Sequence, residues 1–162
     1  MKSVLISIRS KWCQKIISGE KTVEVRKTRP KLKTPFRCYI YKTLPKSGDW
    51  NDTDGRIIGE FVCDNITPLY NVCTDDWANL VGGLHRIEKE LVNQACLTEA
   101  QLHTYAGGKN CFAWHISDLR IYDQPRKLEE FAGIQTMKNG FELRLLDRPP
   151  QSWMYVEENV MD

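Results

Sequence analysis

Residues 19–27 hold the pattern that most constrains this chain. Gly19 closes a stretch with helical spacing, and Lys21-Thr22-Val23-Glu24-Val25-Arg26-Lys27 then alternates polar and apolar residues. A period of about 3.6 residues that gives way to one of about 2 across a single glycine describes a helix, a left-handed turn and a strand. On that strand Val23 and Val25 point to one face, and Thr22, Glu24 and Arg26 to the other, about 7 Å apart along the row. Lys21 sits where the chain leaves the turn, within reach of the same row. The polar face therefore lines up a hydroxyl, a carboxylate, a guanidinium and an ammonium. An amphipathic strand with a solvated charged face accounts for this row as readily as a site does, and exposed ion pairs contribute little to stability.

The remaining elements follow from the same signals. Residues 3–9 read as a strand with Val4, Ile6 and Ile8 on one face. Ser10 is the expected N-cap of a helix reaching Ser18, with Trp12/Ile16 and Cys13/Ile17 as its apolar stripe. Strands are expected at Phe36–Thr43, Arg56–Ile66, Phe112–Tyr122 and Phe141–Leu146, with a further edge strand at Trp153–Val156. Residues 44–55 are rich in Pro, Lys, Ser, Gly, Asp and Asn, which marks a surface loop. Helices are expected at Leu84–Gln94, with a Leu84/Ile87/Leu91 stripe, and at Thr98–Tyr105, capped by Thr98 and ended by Gly107-Gly108. Strands interrupted by three helices without regular βαβ alternation indicate an α+β fold with a mixed, strongly curved or barrel-like sheet. One domain over residues 1–162 is expected, with a helical insertion at about 71–109.

Composition narrows the function classes. At 162 residues, 41% apolar and 27% charged, the chain has enough apolar mass for a core, which excludes wholesale disorder and collagen-like architectures. A net charge of +2 does not mark a nucleic-acid binder in bulk, so any basic site must be local. The local cluster is Arg26-Lys27-Thr28-Arg29-Pro30-Lys31-Leu32-Lys33, with Arg37 nearby; it is either a solvated loop or a phosphate track. The N-terminus lacks the apolar stretch and small-residue cleavage site of a secretory signal, and no window resembles a membrane span, so a cytoplasmic location without membrane partners is expected. Six cysteines without a Cys-x-x-Cys or finger-like histidine spacing read as reduced, buried small hydrophobes. Neither metal nor cofactor is expected.

The series Leu5-Ile6-Ser7-Ile8, Trp12, Lys15-Ile16-Ile17 and Gly19 through Arg26 resembles the ASCH domain family, a branch of the PUA-like superfamily. The family hallmark Gly-x-Lys-x-x-Glu-x-Arg is matched at Gly19, Lys21, Glu24 and Arg26. The similarity continues through Tyr39-Ile40-Tyr41-Lys42-Thr43, Ile58-Gly59-Glu60-Phe61, Ala113 to Leu119, and Arg148 to Val156. It implies a small PUA-like mixed β-barrel with flanking helices and a cleft beside the motif strand that receives RNA, a nucleotide or a modified nucleoside. In that cleft Arg26 would engage a phosphate or carbonyl edge, Lys21 would supply a mobile charge, and Glu24 would complete the polar set. Tyr41, Trp114, Trp153 or Tyr155 would stack on a base, although core packing is the alternative for each.

The same resemblance carries an enzymatic alternative. Some ASCH-like proteins hydrolyse the acetyl amide of N4-acetylcytidine and others are linked to RNA cleavage. The hydrolytic branch uses a motif lysine, matched by Lys21, and a hydroxyl nucleophile. Glu24 stands at that hydroxyl position here, and the available hydroxyl is Thr22. Were the protein an amidohydrolase or ribonuclease, Lys21, Glu24 and Thr22 would be its catalytic residues, with Glu24 as general base. His115 is a possible acid–base partner or a hydrogen-bonded structural histidine.

Overall fold

Ser3–Ile8 (β1) is buried along its whole length and has a strand neighbour on each edge. It pairs in parallel with Phe36–Lys42 (β3), Val4 opposite Cys38, and antiparallel with Trp153–Glu158 (β8), Leu5 opposite Met154. The computed structural model describes residues 1–69 and 86–158. These form two compact units. The first comprises Met1–Gln14, Phe36–Val62 and Asp118 onward; the second comprises Lys15–Pro35 and the described part of Cys63–Ser117.

The other strands are Val23–Arg26 (β2), Arg56–Leu69 (β4), Cys111–Arg126 (β5), Phe131–Met137 (β6) and Gly140–Leu145 (β7). The first unit holds the order β5–β4–β3–β1–β8–β6–β7 and the second β2–β5–β4, since the long strands β4 and β5 each contribute residues to both. The sheet is mixed, as expected. Its strand order is an open series that ends at β2 and β7, so barrel closure is not part of the described pairing. Asp118, where β5 enters the first unit, has φ +46°, a left-handed conformation that Asp tolerates better than most residues.

Helix Ser10–Ile17 (α1) starts one residue earlier than a Ser10 cap requires. The Arg9 carbonyl already accepts the Cys13 amide, at 3.0 Å, which makes Arg9 the capping position. Cys13 and Ile16 are buried, but Ile17 stands 51% exposed, so the stripe is narrower than its spacing suggests. Gly19 ends the helix at φ +80° with its amide on the Ile16 carbonyl, as expected.

Arg86–Gln94 (α2) and Glu99–Ala106 (α3) belong to the second unit. Leu84 and the Ile87 side chain, from the expected stripe, lie outside the described residues, as do Cys73 and much of the expected insertion. Leu91 and Val92 pack with Val23, Val25, Leu102 and Ala113 in the core of this unit, so the β2 valines meet α2 and α3 residues there. Thr98 caps α3 by a reciprocal capping box with Gln101, and Gly107 closes it in the left-handed region. Of the five cysteines described, Cys13, Cys38, Cys63 and Cys111 are buried and Cys96 is half-buried. Among the described residues no helix is long and apolar enough to cross a membrane.

The core of the first unit gathers Leu5, Tyr39, Ile57, Phe131 and Val156, with the Tyr39 and Phe131 rings edge to face at 4.8 Å. The Tyr39 hydroxyl donates to Glu158 at 2.7 Å. Burial, and then this bond to a carboxylate, push the Tyr39 pKa from the ordinary 10 up to about 12, with Arg37 opposing in part. Burial and the bond to Glu60 raise Tyr122 as well. The sign is set by the neutral phenol being favoured in the folded state. This stability is intact below the unfolded pKa of 10 and is lost as pH rises through the folded value near 12. The urea midpoint is therefore expected to fall between about pH 9.5 and about pH 11.5, and to fall less steeply in Tyr39→Phe. An unchanged midpoint across that window would contradict it.

Candidate functional site

Three local devices hold Lys21 at the mouth of β2. Its amide donates to the Lys15 carbonyl, the Thr22 amide donates to the Gln94 carbonyl, and the Ile116 amide donates to the Thr22 carbonyl, each at 2.9 Å. The chain after the Gly19 turn is thereby tied to α1, α2 and β5 before the strand begins. β2 then pairs antiparallel with β5, Val23 opposite His115, Glu24 opposite Trp114, Val25 opposite Ala113 and Arg26 opposite Phe112.

Both faces of β2 are buried, so its charged face is not the solvated surface that an amphipathic strand would present. Lys21, Glu24 and Arg26 are only 3%, 7% and 8% exposed. The Lys21 ammonium lies 3.1 Å from Glu24 Oε2 and also donates to the Ala95 carbonyl at 2.7 Å. Arg26 Nη2 and Nε both reach Glu24 Oε1, at 3.0 and 3.1 Å. One carboxylate thus binds both cations, in a place where charges interact more strongly than in water.

Thr22 does not join this cluster. It precedes the strand and its residue is exposed, whereas Lys21, Glu24 and Arg26 are buried. Both Glu24 oxygens accept from cations, Oε2 from Lys21 and Oε1 from Arg26. His115 Nε2 shares a 2.9 Å hydrogen bond with the Thr67 hydroxyl. Burial, with Asp64 adding to it, pushes the Cys63 thiol up to about 12, so Cys63 is no thiolate nucleophile at neutral pH.

Trp114 lies directly across from Glu24 on the same face, but it is 0% exposed and offers no ring face for a base to stack on. Tyr41 and Trp153 belong to the first unit, Tyr41 buried and Trp153 half-buried, with the Trp153 and Tyr155 rings edge to face. A cavity of about 500 Å³ in the first unit is lined by Ile134, Arg144, Leu146, Pro149 and Met154 among others, and by none of the expected site residues. Among the described residues no group of three or more metal-ligating side chains comes together.

Tyr105, in the last turn of α3, is the aromatic that reading the sequence missed. It is 39% exposed, its ring lies 5.1 Å beneath the Lys27 ammonium, and it shares a hydrogen bond with the Lys27 backbone. Burial raises its pKa and the Arg26 charge opposes the shift, which places the phenol in the electrostatic field of the cluster. No signal marked it, because its only local feature is its place at a helix end. From Lys27 onward Arg29, Lys31 and Lys33 are exposed, so a basic segment continues outward from the buried end of β2.

A small α+β domain with a buried Lys–Glu–Arg set on a short strand, continued by an exposed basic segment, is the class that fold and site define. No protein-family model and no curated protein matches the chain. Solved structures do. An ASCH protein from Zymomonas mobilis is 23% identical, with a TM-score of 0.58 over 96% of this chain and 87% of that one. Its serine-to-alanine variant gives 22% identity and a TM-score of 0.60, covering 97% and 89%. A tyrosine-to-phenylalanine variant gives 22% and 0.56, covering 98% and 93%. The chain has the fold of an ASCH domain.

Proposed function

We propose that this protein is an ASCH-type RNA- or nucleotide-binding module that uses the region around β2, and that the ion-paired Lys21–Glu24–Arg26 cluster is the fixed part of its binding site. The observation that carries the reading is that one buried carboxylate, Glu24, holds the Lys21 ammonium and the Arg26 guanidinium side by side at β2. Positive charge held rigidly in low dielectric suits a phosphate or a nucleobase carbonyl, and costs little reorganisation on binding. Tyr105 supplies a partly open ring beside that charge, and Lys27, Arg29, Lys31 and Lys33 supply a track for the following phosphates.

The test is binding of a short single-stranded RNA, followed by fluorescence anisotropy at several salt concentrations. Three to four phosphate contacts give a log–log slope of about −2 to −3, an affinity loss of roughly 20- to 60-fold between 50 and 200 mM salt. Replacing Lys27, Lys31 and Lys33 together by Ala, all exposed positions, is expected to flatten the slope, and Tyr105→Ala to weaken binding at every salt concentration. Flat salt dependence of the unaltered protein, or unchanged binding in both variants, would remove the proposal. Hydrolysis has less support, because Thr22 lies outside the cluster and the Glu24 oxygens are engaged. N4-acetylcytidine is accordingly expected to survive incubation. Cytidine release that Lys21→Ala abolishes would reverse the assignment.

A further inference from the structure

The outermost strand of the first unit has one edge that pairs with no strand among the described residues. β7 (Gly140-Phe141-Glu142-Leu143-Arg144-Leu145) has β6 as its single strand neighbour among the described residues, with Ala132 opposite Leu145 and Met137 opposite Gly140. Beyond the strand the Leu146 amide donates to the Phe131 carbonyl, at 3.2 Å, which sets the parity of the pairing. Even-numbered residues of β7 turn their main-chain groups toward β6, so Phe141, Leu143 and Leu145 turn theirs toward the open edge. The side chains of the same three residues share one face and stand 69%, 47% and 58% exposed. Open edges of this kind invite a further strand, and most folds shield them with a bulge, a proline or a covering loop.

The strand is also self-complementary. In an antiparallel pair of two copies centred on Leu143, Leu143 faces its own counterpart, Phe141 faces Leu145, and Glu142 of each copy faces Arg144 of the other. Parity makes the Phe141–Leu145 and Leu143–Leu143 pairs the hydrogen-bonded ones, which gives about six main-chain bonds across the edge. The Glu142–Arg144 pairs then fall at non-hydrogen-bonded positions, where facing side chains approach most closely. Sliding the pair by one allowed step either way sets Glu142 against Glu142 or Arg144 against Arg144, so like charges exclude the neighbouring registers.

We propose that β7 is the docking edge for a second copy of this chain, joined antiparallel about Leu143 with a two-fold axis passing between the two Leu143 residues. The pairing is isologous and closes on itself, so it yields a dimer and not a fibre. Nothing in it depends on RNA binding. Sedimentation equilibrium of the full chain over a wide concentration range tests it, with Glu142→Arg, Arg144→Glu and an equimolar mixture of the two. These positions are exposed, so the variants are expected to fold, as far-UV circular dichroism would verify. The unaltered chain is expected to be a reversible dimer, and each variant alone to associate about tenfold or more weakly. In the mixture opposite charges face each other again. The arginine introduced by Glu142→Arg meets the glutamate introduced by Arg144→Glu, and the retained Arg144 of the first variant meets the retained Glu142 of the second. Association is therefore expected to return. A monomer throughout, association as strong in the single variants as in the unaltered chain, or a mixture that stays monomeric would each overturn the proposal.

Discussion

Glu24→Ala is expected to destabilise the protein by about 3–5 kcal/mol, the cost of leaving buried charges without their counter-ion. The carboxylate pairs with both cations, and its removal takes a counter-ion from an ammonium and a guanidinium held at 3% and 8% exposure. Lys21→Met is expected to cost less, about 1–3 kcal/mol, because Glu24 keeps Arg26 while the Ala95 carbonyl loses its buried donor. The informative partner is the combined Lys21→Met, Glu24→Leu, Arg26→Met change. Exchanging a whole buried ionic set for apolar residues of similar size is often neutral or stabilising, so this protein should recover most of the stability that Glu24→Ala loses. It should nevertheless fail to bind RNA, which separates a set kept for recognition from one kept for folding. Urea unfolding with unchanged m-values measures all three. A Glu24→Ala protein within about 1 kcal/mol of the original would mean that the cations reach water, and the buried site would dissolve with that result.

What could be read from the sequence was local. Alternation located β2, the β-branched run located β1, and the Thr98–Gln101 spacing located the cap of α3, because each signal is complete within a few residues. Burial of the β2 charges was not legible. Alternation says that Glu24 and Arg26 share a face, but not whether that face meets water or protein. β6 escaped because Gly133 and the polar Gln135-Thr136 weaken its strand signal. In the fold a Cβ on Gly133 would stand 2.8 Å from Met154 Cε and 2.9 Å from Leu146 Cδ2, so the residue that hides the strand is the one that lets these side chains in. The two-unit division was out of reach for another reason. Each unit is assembled from separate stretches of chain, and such long-range contacts leave no mark in a window. Tyr105 was missed for the same reason, since its relation to Arg26 and Lys27 exists only once α3 and β2 are folded.

Trp114→Ala should lower stability by about 3–5 kcal/mol, the range for deleting a large aromatic side chain from a core. The indole is fully buried across from Glu24, so its removal opens a cavity and strips the cover from one side of the ion-paired cluster. A larger effective dielectric around Lys21, Glu24 and Arg26 would then weaken the same attractions that hold the set together. Trp114→Phe keeps part of the volume and should retain about half of that stability. The experiment also decides between the two roles the residue could be given from sequence. A tryptophan that stacks on a base loses binding on truncation while the fold holds, at about 1–3 kcal/mol per base. A core tryptophan loses stability first, and under conditions where Trp114→Phe remains folded its RNA affinity should match that of the unaltered protein. Urea unfolding and RNA titration on the same samples read both quantities. A stable Trp114→Ala protein with impaired binding would put the indole in the ligand's path and not in the core.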